Sequence, residues 1–334
     1  MIRGNISDAL VQVRNLKKWF TVRRSIFARP NPSERFVHAV DGVSFDIRNE
    51  DAISIVGESG CGKTTLARLL LRLMEPTEGS ILFESRNIFT NSKTEMHRLR
   101  AQIQAVFQDP YSSLDPKKTV LQIVSEPLEV NQITSGGKQT LERASASLTA
   151  VGMDPPQRFL AKFPYELSGG QRQRVAIARA MVVNPRLIVA DEPVSMLDAS
   201  IRAEILNLLL NLRDKFHLTY VFITHDLAVA RYVSNRMAVM YLGRIVEIGS
   251  ADDVCTNPIH PYTKALLSAL PTTNPRNRRE GVELRGEVPS AVQIPSGCRF
   301  RPRCLYAFDK CITEPELMKV GNDHYAACWL EQAA

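Results

Sequence analysis

The feature of the sequence that most constrains the fold is a glycine-rich loop that begins at Gly57. It follows residues 51–56 (DAISIV), a short apolar run with the character of a buried strand. The loop matches G-x-x-x-x-G-K-[ST] and is followed by LARLLLRLM, which is typical of a helix. Strand, glycine loop and helix in this order predict a phosphate-binding loop, in which backbone N–H groups and a helix N-terminus face an anion.

This loop supplies most of the candidate residues for binding a nucleoside triphosphate. Lys63 is expected to reach the β- and γ-phosphates, and the Thr64 hydroxyl is expected to ligate Mg²⁺. The predicted set from the loop is Gly57, Glu58, Ser59, Gly60, Cys61, Gly62, Lys63, Thr64 and Thr65.

A second apolar run, residues 187–190 (LIVA), ends in an acidic pair. A carboxylate at the end of a strand beside a phosphate loop suits Mg²⁺ coordination, which is the role predicted for Asp191. Glu192 would then face the attacking water as general base. Alone, such a pair is not specific, because acidic residues commonly begin turns.

A second predicted phosphate site precedes the basic helix RQRVAIARAMVV. Its glycines and serine leave N–H groups and a hydroxyl at a helix N-terminus. Two such sites far apart in one sequence indicate that one of them serves a nucleotide held by another subunit. The residues are Leu167, Ser168, Gly169, Gly170 and Gln171.

Together these motifs, over roughly residues 11–250, occur in the order seen in ABC-transporter ATPases, which this chain resembles. The resemblance implies that Gln108 in VFQDP contacts Mg²⁺ and water, and that His225 in ITHD contacts the γ-phosphate. It implies that Asp198 in SMLD lies at a dimer interface and that Phe20 stacks on adenine. Trp19 is the neighbouring candidate for that stacking, and plain core packing is the alternative for either aromatic. ATP and Mg²⁺ are the implied substrate and metal.

Several of these residues also have ordinary structural interpretations. A histidine placed like His225 often serves as a structural cap, and Arg172, Arg174 and Arg179 could form a solvated helix face. No aromatics are interleaved with these arginines, so we expect no nucleic-acid partner. Met196 departs from the family, which usually has alanine there, and should alter interface packing.

The resemblance and the strand–helix alternation predict an α/β fold. The expected architecture is a P-loop NTPase (RecA-like) core with an antiparallel β subdomain around MEPTEGSILF, an inserted helical subdomain at about residues 95–180 and a small cysteine-containing carboxy-terminal extension. We place the ATP-binding domain at 1–255 and the extension at 256–334. Residues 23–35 are expected to form an exposed hairpin or loop. In the resembled family the start of the helical subdomain lines a groove for a helix of the membrane subunit.

The groove residues predicted from this region are Tyr111, Leu114 and Val120, with core packing favoured for Val120.

Four of the six cysteines lie in the last 37 residues, as Cys298-x5-Cys304-x6-Cys311-x16-Cys328. In a reducing compartment such a cluster more often indicates metal than disulfides. No close C-x2-C pair is present, and the spacing matches neither a common zinc finger nor the usual ferredoxin runs. The chemistry of the residues alone does not decide between three interpretations of the cysteines: a zinc site, an iron–sulfur cluster and four unrelated thiols.

The tail carries a second resemblance. HPYT-x-ALL-x-ALP followed by PSGC-x-F-x-x-R-C resembles the extension of dipeptide and oligopeptide permease ATPases, and the long N-terminal insertion before AVDGVSF is similar to the second, F-type subunit of those transporters. It implies a [4Fe–4S] cluster on the four cysteines, beside the positive charges of Arg299, Arg301 and Arg303. It also implies peptide import with a second ATPase subunit (a homo- or heterodimer), two transmembrane permease subunits and an extracytoplasmic substrate-binding protein.

The resemblance implies a peripheral subunit on the cytoplasmic face of a membrane; the charge balance selects no partner class, and the sequence predicts neither a membrane span nor export. The net charge is +7, no run of about 18 apolar residues is present, and Met1 to Val11 lacks the apolar stretch of a signal peptide. The alternative within transport is import of nickel, glutathione or oligosaccharides, which related importers carry. An alternative of another class is a soluble ABC ATPase in translation or DNA repair; those usually carry two cassettes or a coiled-coil insertion, and this sequence has neither.

Overall fold

A computed structural model of the chain describes residues 9–22, 36–90, 92–270, 286–287 and 289–330. The loop predicted at 23–35 lies outside these ranges. The described strands are β1 Ala9–Thr21, β2 Phe36–Arg48, β3 Ala52–Val56, β4 Glu78–Phe83, β5 Arg86–Asn87, β6 Ile103–Val106, β7 Leu187–Asp191, β8 Thr219–Thr224, β9 Arg236–Tyr241, β10 Arg244–Ser250, β11 Met318–Gly321 and β12 His324–Ala326.

The described α-helices are α1 Lys63–Leu70, α2 Lys93–Gln102, α3 Pro110–Ser113, α4 Val120–Val130, α5 Gly137–Ala150, α6 Gln157–Leu160, α7 Gly169–Met181, α8 Ala199–Phe216, α9 Leu227–Val233, α10 Ala251–Thr256 and α11 Pro261–Ser268. Short 3₁₀ turns add to them, among them Arg301–Arg303. The chain divides into two compact units, one built from 1–47, 52–89 and 223–334 and the other from 48–51 and 90–222.

The first unit contains an antiparallel sheet in the order β2-β1-β4-β5. Val11 pairs with Phe83 and Val13 with Ile81, and all four side chains are buried. Apolar residues alternate along β1 and β4, so one face of the sheet is buried, as period-two patterning requires. The antiparallel segment predicted around MEPTEGSILF is therefore confirmed.

The same unit holds the strand that carries the phosphate loop. Its strands run in the order β11-β12-β10-β9-β3, with β3 parallel to β9 and the other neighbours antiparallel. All five residues of β3 are buried, which is why it appears in the sequence as a continuous apolar run rather than an alternating one.

The second unit combines parallel strands with most of the helices. β6 pairs with β7 in parallel, with Ile103 opposite Leu187. Helices α4, α5 and α7 pack together, and the buried Ser147 hydroxyl of α5 donates to the Ala178 carbonyl of α7 at 2.7 Å. Helix α5 ends at Ala150, before a turn that contains Gly152 with a φ of +77°.

One hydrophobic core of the first unit joins the nucleotide-binding part of the chain to the carboxy-terminal extension. Val56 of β3 and Tyr241 of β9 belong to the same buried cluster as Tyr262, Leu267 and Phe300. The core therefore continues across the boundary placed at residue 255, which stays a prediction. Within the ranges described above, no helix has the length and apolar character needed to cross a membrane.

Candidate nucleotide site and cysteine cavity

The phosphate loop connects the buried end of β3 to helix α1, which begins at Lys63. Gly57 and Gly62 have φ values of +153° and +111°. A Cβ on Gly57 would lie 2.2 Å from the Met240 carbonyl oxygen, and one on Gly62 would lie 2.0 Å from that of Ala39. Both positions therefore require glycine, because of the left-handed backbone and the close approach of neighbouring carbonyls.

Lys63 is held inside its own loop. Its ammonium is buried and donates to the carbonyl oxygens of Gly57 at 2.7 Å and Glu58 at 2.9 Å. Ser59, Gly60 and Thr64 are exposed, whereas Thr65 is half-buried. Burial raises the pKa of the Cys61 thiol, so it is neutral near pH 7 despite the adjacent lysine. The loop thus presents its outer backbone and the Thr64 hydroxyl to solvent.

Glu58 of the loop is bound by two residues of the extension. Arg303 donates from Nη1 to Glu58 Oε2 at 2.8 Å and from Nη2 to Oε1 at 3.1 Å, a bidentate pair. The backbone N–H of Glu58 donates to the Tyr262 hydroxyl at 2.9 Å. These contacts were not predicted from the sequence.

The aromatic candidates for adenine stacking differ in their surroundings. Phe20 is exposed, and the Lys18 ammonium lies 5.3 Å from its ring centroid. Trp19 is half-buried and donates from Nε1 to Asp41 Oδ1 at 3.1 Å. Its ring lies 4.4 Å from that of His38, centroid to centroid. Phe20 is therefore the more accessible of the two.

Asp41, the acceptor for Trp19, also binds Arg299 of the extension through Oδ2. Burial raises the pKa of Asp41, but the hydrogen bond and charge of Arg299, assisted by Arg244 and Trp19, outweigh burial and leave that pKa below its usual value. Arg299 also donates to the Leu242 carbonyl oxygen.

In the second unit two of the predicted catalytic residues are in contact. Gln108 Nε2 donates to Glu192 Oε2 at 2.9 Å. Asp191 is the last residue of β7, and Glu192 follows with a φ of +47°, in the left-handed region. The Ser195 hydroxyl donates to the Glu192 carbonyl oxygen at 3.1 Å and stabilises the turn.

The LSGGQ segment forms the start of α7. Ser168 is its N-cap and accepts from the Gln171 N–H at 3.3 Å, while the Gln171 side chain accepts from the Ser168 N–H at 3.1 Å. Leu167 is buried, whereas the following serine is exposed. A Cβ on Gly170 would lie 2.8 Å from Ile201 Cγ2, so glycine allows α7 to approach α8 closely, while Gly169 has more space.

The residues predicted at a dimer interface are exposed. Asp198 occupies the N-cap position of α8 with no side-chain cap hydrogen bond, and the Met196 side chain is 59% exposed. His225 is exposed directly after β8. The cap of the next helix, α9, is Asp226, whose carboxylate accepts from Ala228 and Val229. The cap interpretation of His225 is therefore wrong.

The predicted groove residues are only partly accessible. Tyr111 is exposed, with the Arg172 guanidinium 4.1 Å from its ring centroid. Leu114 and Val120 are both fully buried. Packing was expected for Val120, but the groove role predicted for Leu114 is wrong, because a side chain buried within its own unit cannot contact a partner.

The three arginines of α7 form hydrogen bonds to neighbouring backbone segments and do not form a solvated helix face. Each donates to a backbone carbonyl oxygen at 2.6 Å: Arg172 to Pro164, Arg174 to Val151 and Arg179 to Ser113.

The four clustered cysteines converge on one cavity of about 20 Å³ in the first unit. None of the six cysteines, all of which lie in the described ranges, forms a disulfide. Burial raises the pKa of Cys298 to about 11 and also raises that of Cys304. Among the residues described, no three His, Cys, Asp or Glu side chains are close enough together to hold a metal ion.

The arginines expected beside this cluster mostly face elsewhere. Arg299 pairs with Asp41 and Glu314, and Arg303 pairs with Glu58. Only Arg301 of the three lines the cysteine cavity. The expectation that all three offset thiolate charge is therefore wrong, because nearby carboxylates bind the other two.

The HPYT motif has a defined structural role. His260 caps α11 by accepting the Tyr262 N–H on Nδ1 at 3.1 Å. Burial lowers the pKa of His260 to about 4, so the ring is neutral and its nitrogen can accept. The fully buried Glu247 accepts from the N–H groups of Ile259 and His260 at 2.8 and 2.9 Å and from His324 Nε2 at 2.8 Å. The motif thereby positions Tyr262 against the phosphate loop.

Two protein families match separate parts of the chain, one over the phosphate loop and LSGGQ segment and one over the carboxy-terminal region. Residues 40–195 match the ABC transporter family, and residues 246–311 match the oligopeptide/dipeptide transporter C-terminal region. The oligopeptide transport ATP-binding protein AppF of Bacillus subtilis is 44% identical over 97% of this chain and 98% of its own. The dipeptide transport ATP-binding protein DppF of Haemophilus influenzae is 44% identical over 96% of each chain.

Solved structures show the same fold. The dimeric ATP-binding cassette MJ0796, in a post-hydrolysis state with ADP and Pi, has a TM-score of 0.62 and 30% identity, covering 72% of this chain and 98% of its own. The structure of cbiO1 of Clostridium perfringens, part of the transporter complex cbiONQ, has a TM-score of 0.63 and 28% sequence identity. The match covers 75% of this chain and 92% of the cbiO1 chain.

The fold, the phosphate loop and the LSGGQ helix together define an ATPase of the ABC class with a P-loop NTPase fold. The chain belongs to the ABC transporter family, and its full-length relatives and carboxy-terminal region place it in the oligopeptide/dipeptide group of that family.

Proposed function

We propose that this chain is the ATP-hydrolysing subunit of a membrane transporter that imports dipeptides or oligopeptides. The observation that carries the proposal is the carboxy-terminal region shared with oligopeptide/dipeptide transporters, whose Tyr262 and Phe300 lie in the same core as the strand of the phosphate loop. The names of the full-length relatives support the same cargo class. The reaction is ATP + H₂O to ADP + phosphate.

In this proposal Lys63 and the loop glycines bind the phosphates, and Phe20 stacks on adenine. Thr64, Gln108 and Asp191 would hold Mg²⁺, which supplies positive charge to the β- and γ-phosphates when it is bound.

Glu192 takes the proton of the attacking water, and His225 contacts the γ-phosphate. The contact between Gln108 and Glu192 supports this assignment, because an amide donor orients the carboxylate that must accept the proton. Exposure of His225 leaves its ring accessible to a ligand.

A second ATPase subunit completes the site in this proposal. Ser168, Gly169 and Gly170 would contact the nucleotide of that subunit, and Asp198 would lie at the interface. The exposed Asp198 and Met196 support an interface there. The same assembly contains two transmembrane permease subunits, which place this chain peripherally at the cytoplasmic membrane face, and receives peptides from an extracytoplasmic binding protein.

The four clustered cysteines hold a [4Fe–4S] cluster in this proposal. The donor set fits, because cysteine thiolates are the ligands of such clusters and all four line one cavity. The four sulfurs must move closer together to bind it, since no described group of three is at metal-binding distance. The cluster would stabilise the extension; no step of ATP hydrolysis depends on it.

The cluster is tested by anaerobic purification followed by iron and sulfide assays. The Cys304→Ser variant should contain neither iron nor sulfide, whereas Cys255→Ser, on α10, should retain both. Colourless wild-type protein with stoichiometric zinc, or with neither metal, would contradict the cluster.

The transport assignment is tested by reconstituting the chain in liposomes with its permease subunits and a substrate-binding protein. Glu192→Gln should bind ATP but hydrolyse it at least about 100-fold more slowly and abolish peptide uptake, because removing a general base costs 10²–10⁴-fold. Glu142→Gln, on the exposed face of α5, is the matched control.

Near-normal hydrolysis by Glu192→Gln would refute the catalytic assignment. Uptake of nickel, glutathione or oligosaccharides in place of peptides would refute the cargo. Co-purification with ribosomes rather than permease subunits would refute the transport role altogether.

A further inference from the structure

Two groups of the extension bind a single residue of the phosphate loop. Glu58 is the second residue of that loop, 245 positions from Arg303 and 204 from Tyr262. Its carboxylate is paired with Arg303 and its backbone N–H with Tyr262. We propose that Arg303 and Tyr262 are positioning residues that set the affinity of the phosphate loop for ATP. This proposal rests on the proposed nucleotide site.

Electrostatics gives the first reason. A carboxylate on a phosphate-binding loop repels the triphosphate unless a cation offsets it. Arg303 provides that cation in a fixed bidentate geometry, with its side chain only 7% exposed against 26% for Glu58. The hydrogen bond to Glu58 raises the pKa of Arg303, so the guanidinium stays charged at every physiological pH.

Backbone geometry gives the second reason. The Tyr262 hydroxyl anchors the loop just after Gly57, where the chain leaves β3. Tyr262 is itself immobilised, since it is fully buried and its ring lies 4.6 Å from that of Tyr241 and 5.5 Å from that of Phe300, centroid to centroid. A rigid anchor at the loop entrance reduces the ordering that ATP binding must otherwise impose.

The segment that carries Arg303 is also linked, through Asp41, to Trp19 beside the predicted adenine-stacking residue Phe20. Arg299, four residues earlier, binds Asp41, which accepts a hydrogen bond from Trp19, the neighbour of Phe20. One short segment, Cys298–Cys304, therefore supports the candidate site at both ends.

The test is the dissociation constant of the non-hydrolysable analogue AMP-PNP with Mg²⁺, measured by calorimetry on the full chain, together with ATPase kinetics. Arg303→Gln should raise this constant and the KM for ATP about ten-fold, as expected for loss of one charge-assisted pair, with kcat within about two-fold. Lys319→Gln removes an exposed positive charge from the same extension and should change neither.

Removing the carboxylate should rescue the arginine variant. In a Glu58→Gln background, Arg303→Gln should have at most about a two-fold further effect, because no unpaired charge remains on the loop. A merely structural role of Arg303 would leave the ten-fold effect in place and would overturn the electrostatic part of the proposal.

Tyr262→Phe deletes only the hydroxyl and keeps the ring in the aromatic cluster, so it carries the test even if Arg303→Gln fails to fold. It should weaken AMP-PNP binding about three-fold, about the effect of one neutral hydrogen bond. Tyr232→Phe, at an exposed position on α9, is its control.

Lys63→Ala separates this proposal from the nucleotide-site assignment. If Lys63→Ala binds AMP-PNP as wild type does, the site itself is wrong. If Lys63→Ala fails to bind but Arg303→Gln and Tyr262→Phe bind like wild type, the site stands and the positioning role is refuted.

Discussion

At the scale of single residues, the phosphate loop is governed by close contacts of glycine. Gly57 and Gly62 combine left-handed backbone with neighbouring carbonyl oxygens that leave no room for a Cβ. Gly60 also has a positive φ, of +81°, but faces open space, so its requirement is conformational only. The spacing of glycines in the sequence thus reflects two different physical demands.

Gly62→Ala is expected to destabilise the fold by at least about 2 kcal/mol, since a left-handed alanine costs about 1–2 kcal/mol before the clash is counted. Chemical denaturation of the variant measures this loss. Gly137→Ala, at the first residue of α5 and with nothing within 4 Å, should leave stability unchanged or raise it by up to about 1 kcal/mol. Equal stability of the two variants would contradict the contact with Ala39.

At the scale of elements, one buried carboxylate joins β10 to two parts of the extension. Glu247 of β10 accepts hydrogen bonds from the chain that enters α11 and from His324 of β12. Because Glu247 is fully buried, water cannot take the place of its carboxylate as acceptor for these N–H groups. The start of α11, and with it Tyr262, therefore depends on a residue that the sequence pattern of a strand does not single out.

Glu247→Gln should lower the free energy of unfolding by about 2–4 kcal/mol, because an amide N–H₂ would face donors inside the core and leave a buried group unpaired. Thermal or urea unfolding of the full chain measures the change. Glu316→Gln, at an exposed position nearby, should be neutral. A Glu247→Gln variant as stable as that control would show that the three hydrogen bonds contribute nothing net.

At the scale of the whole molecule, the extension is part of the unit that carries the phosphate loop. The buried cluster that contains Val56 also contains Tyr262, Leu267 and Phe300. Arg299 and Arg303 add ion pairs to Asp41 and Glu58 of the same unit. The expected carboxy-terminal extension therefore shares a hydrophobic core with the strand of the phosphate loop.

A chain that ends after Cys255 should therefore fail to fold stably. It loses three large buried side chains, each contributing about 1.5–3 kcal/mol, out of a total stability of about 5–15 kcal/mol. The soluble fraction and the unfolding temperature, compared with the full chain, measure this. A shortened chain that melts within a few degrees of the full one would show instead that the extension is a separable domain.

The sequence by itself determined the local elements of the site. The phosphate loop, the LSGGQ helix start and the acidic end of β7 could all be predicted, because each motif is contiguous and its backbone conformation follows from glycine, capping and apolar patterning. The antiparallel β segment and the α/β class followed from the alternation of strands and helices together with the family resemblance.

Only the tertiary structure decided which partners the long-range side chains bind. Arginines of the extension were expected beside the cysteines, yet Arg303 binds Glu58 and Arg299 binds Asp41, across 245 and 258 positions. Leu114 was expected in a groove and is buried. Local patterning specifies backbone conformation, but a charged or apolar side chain takes whichever partner the packed fold brings within a few ångströms, and that distance is not encoded in neighbouring residues.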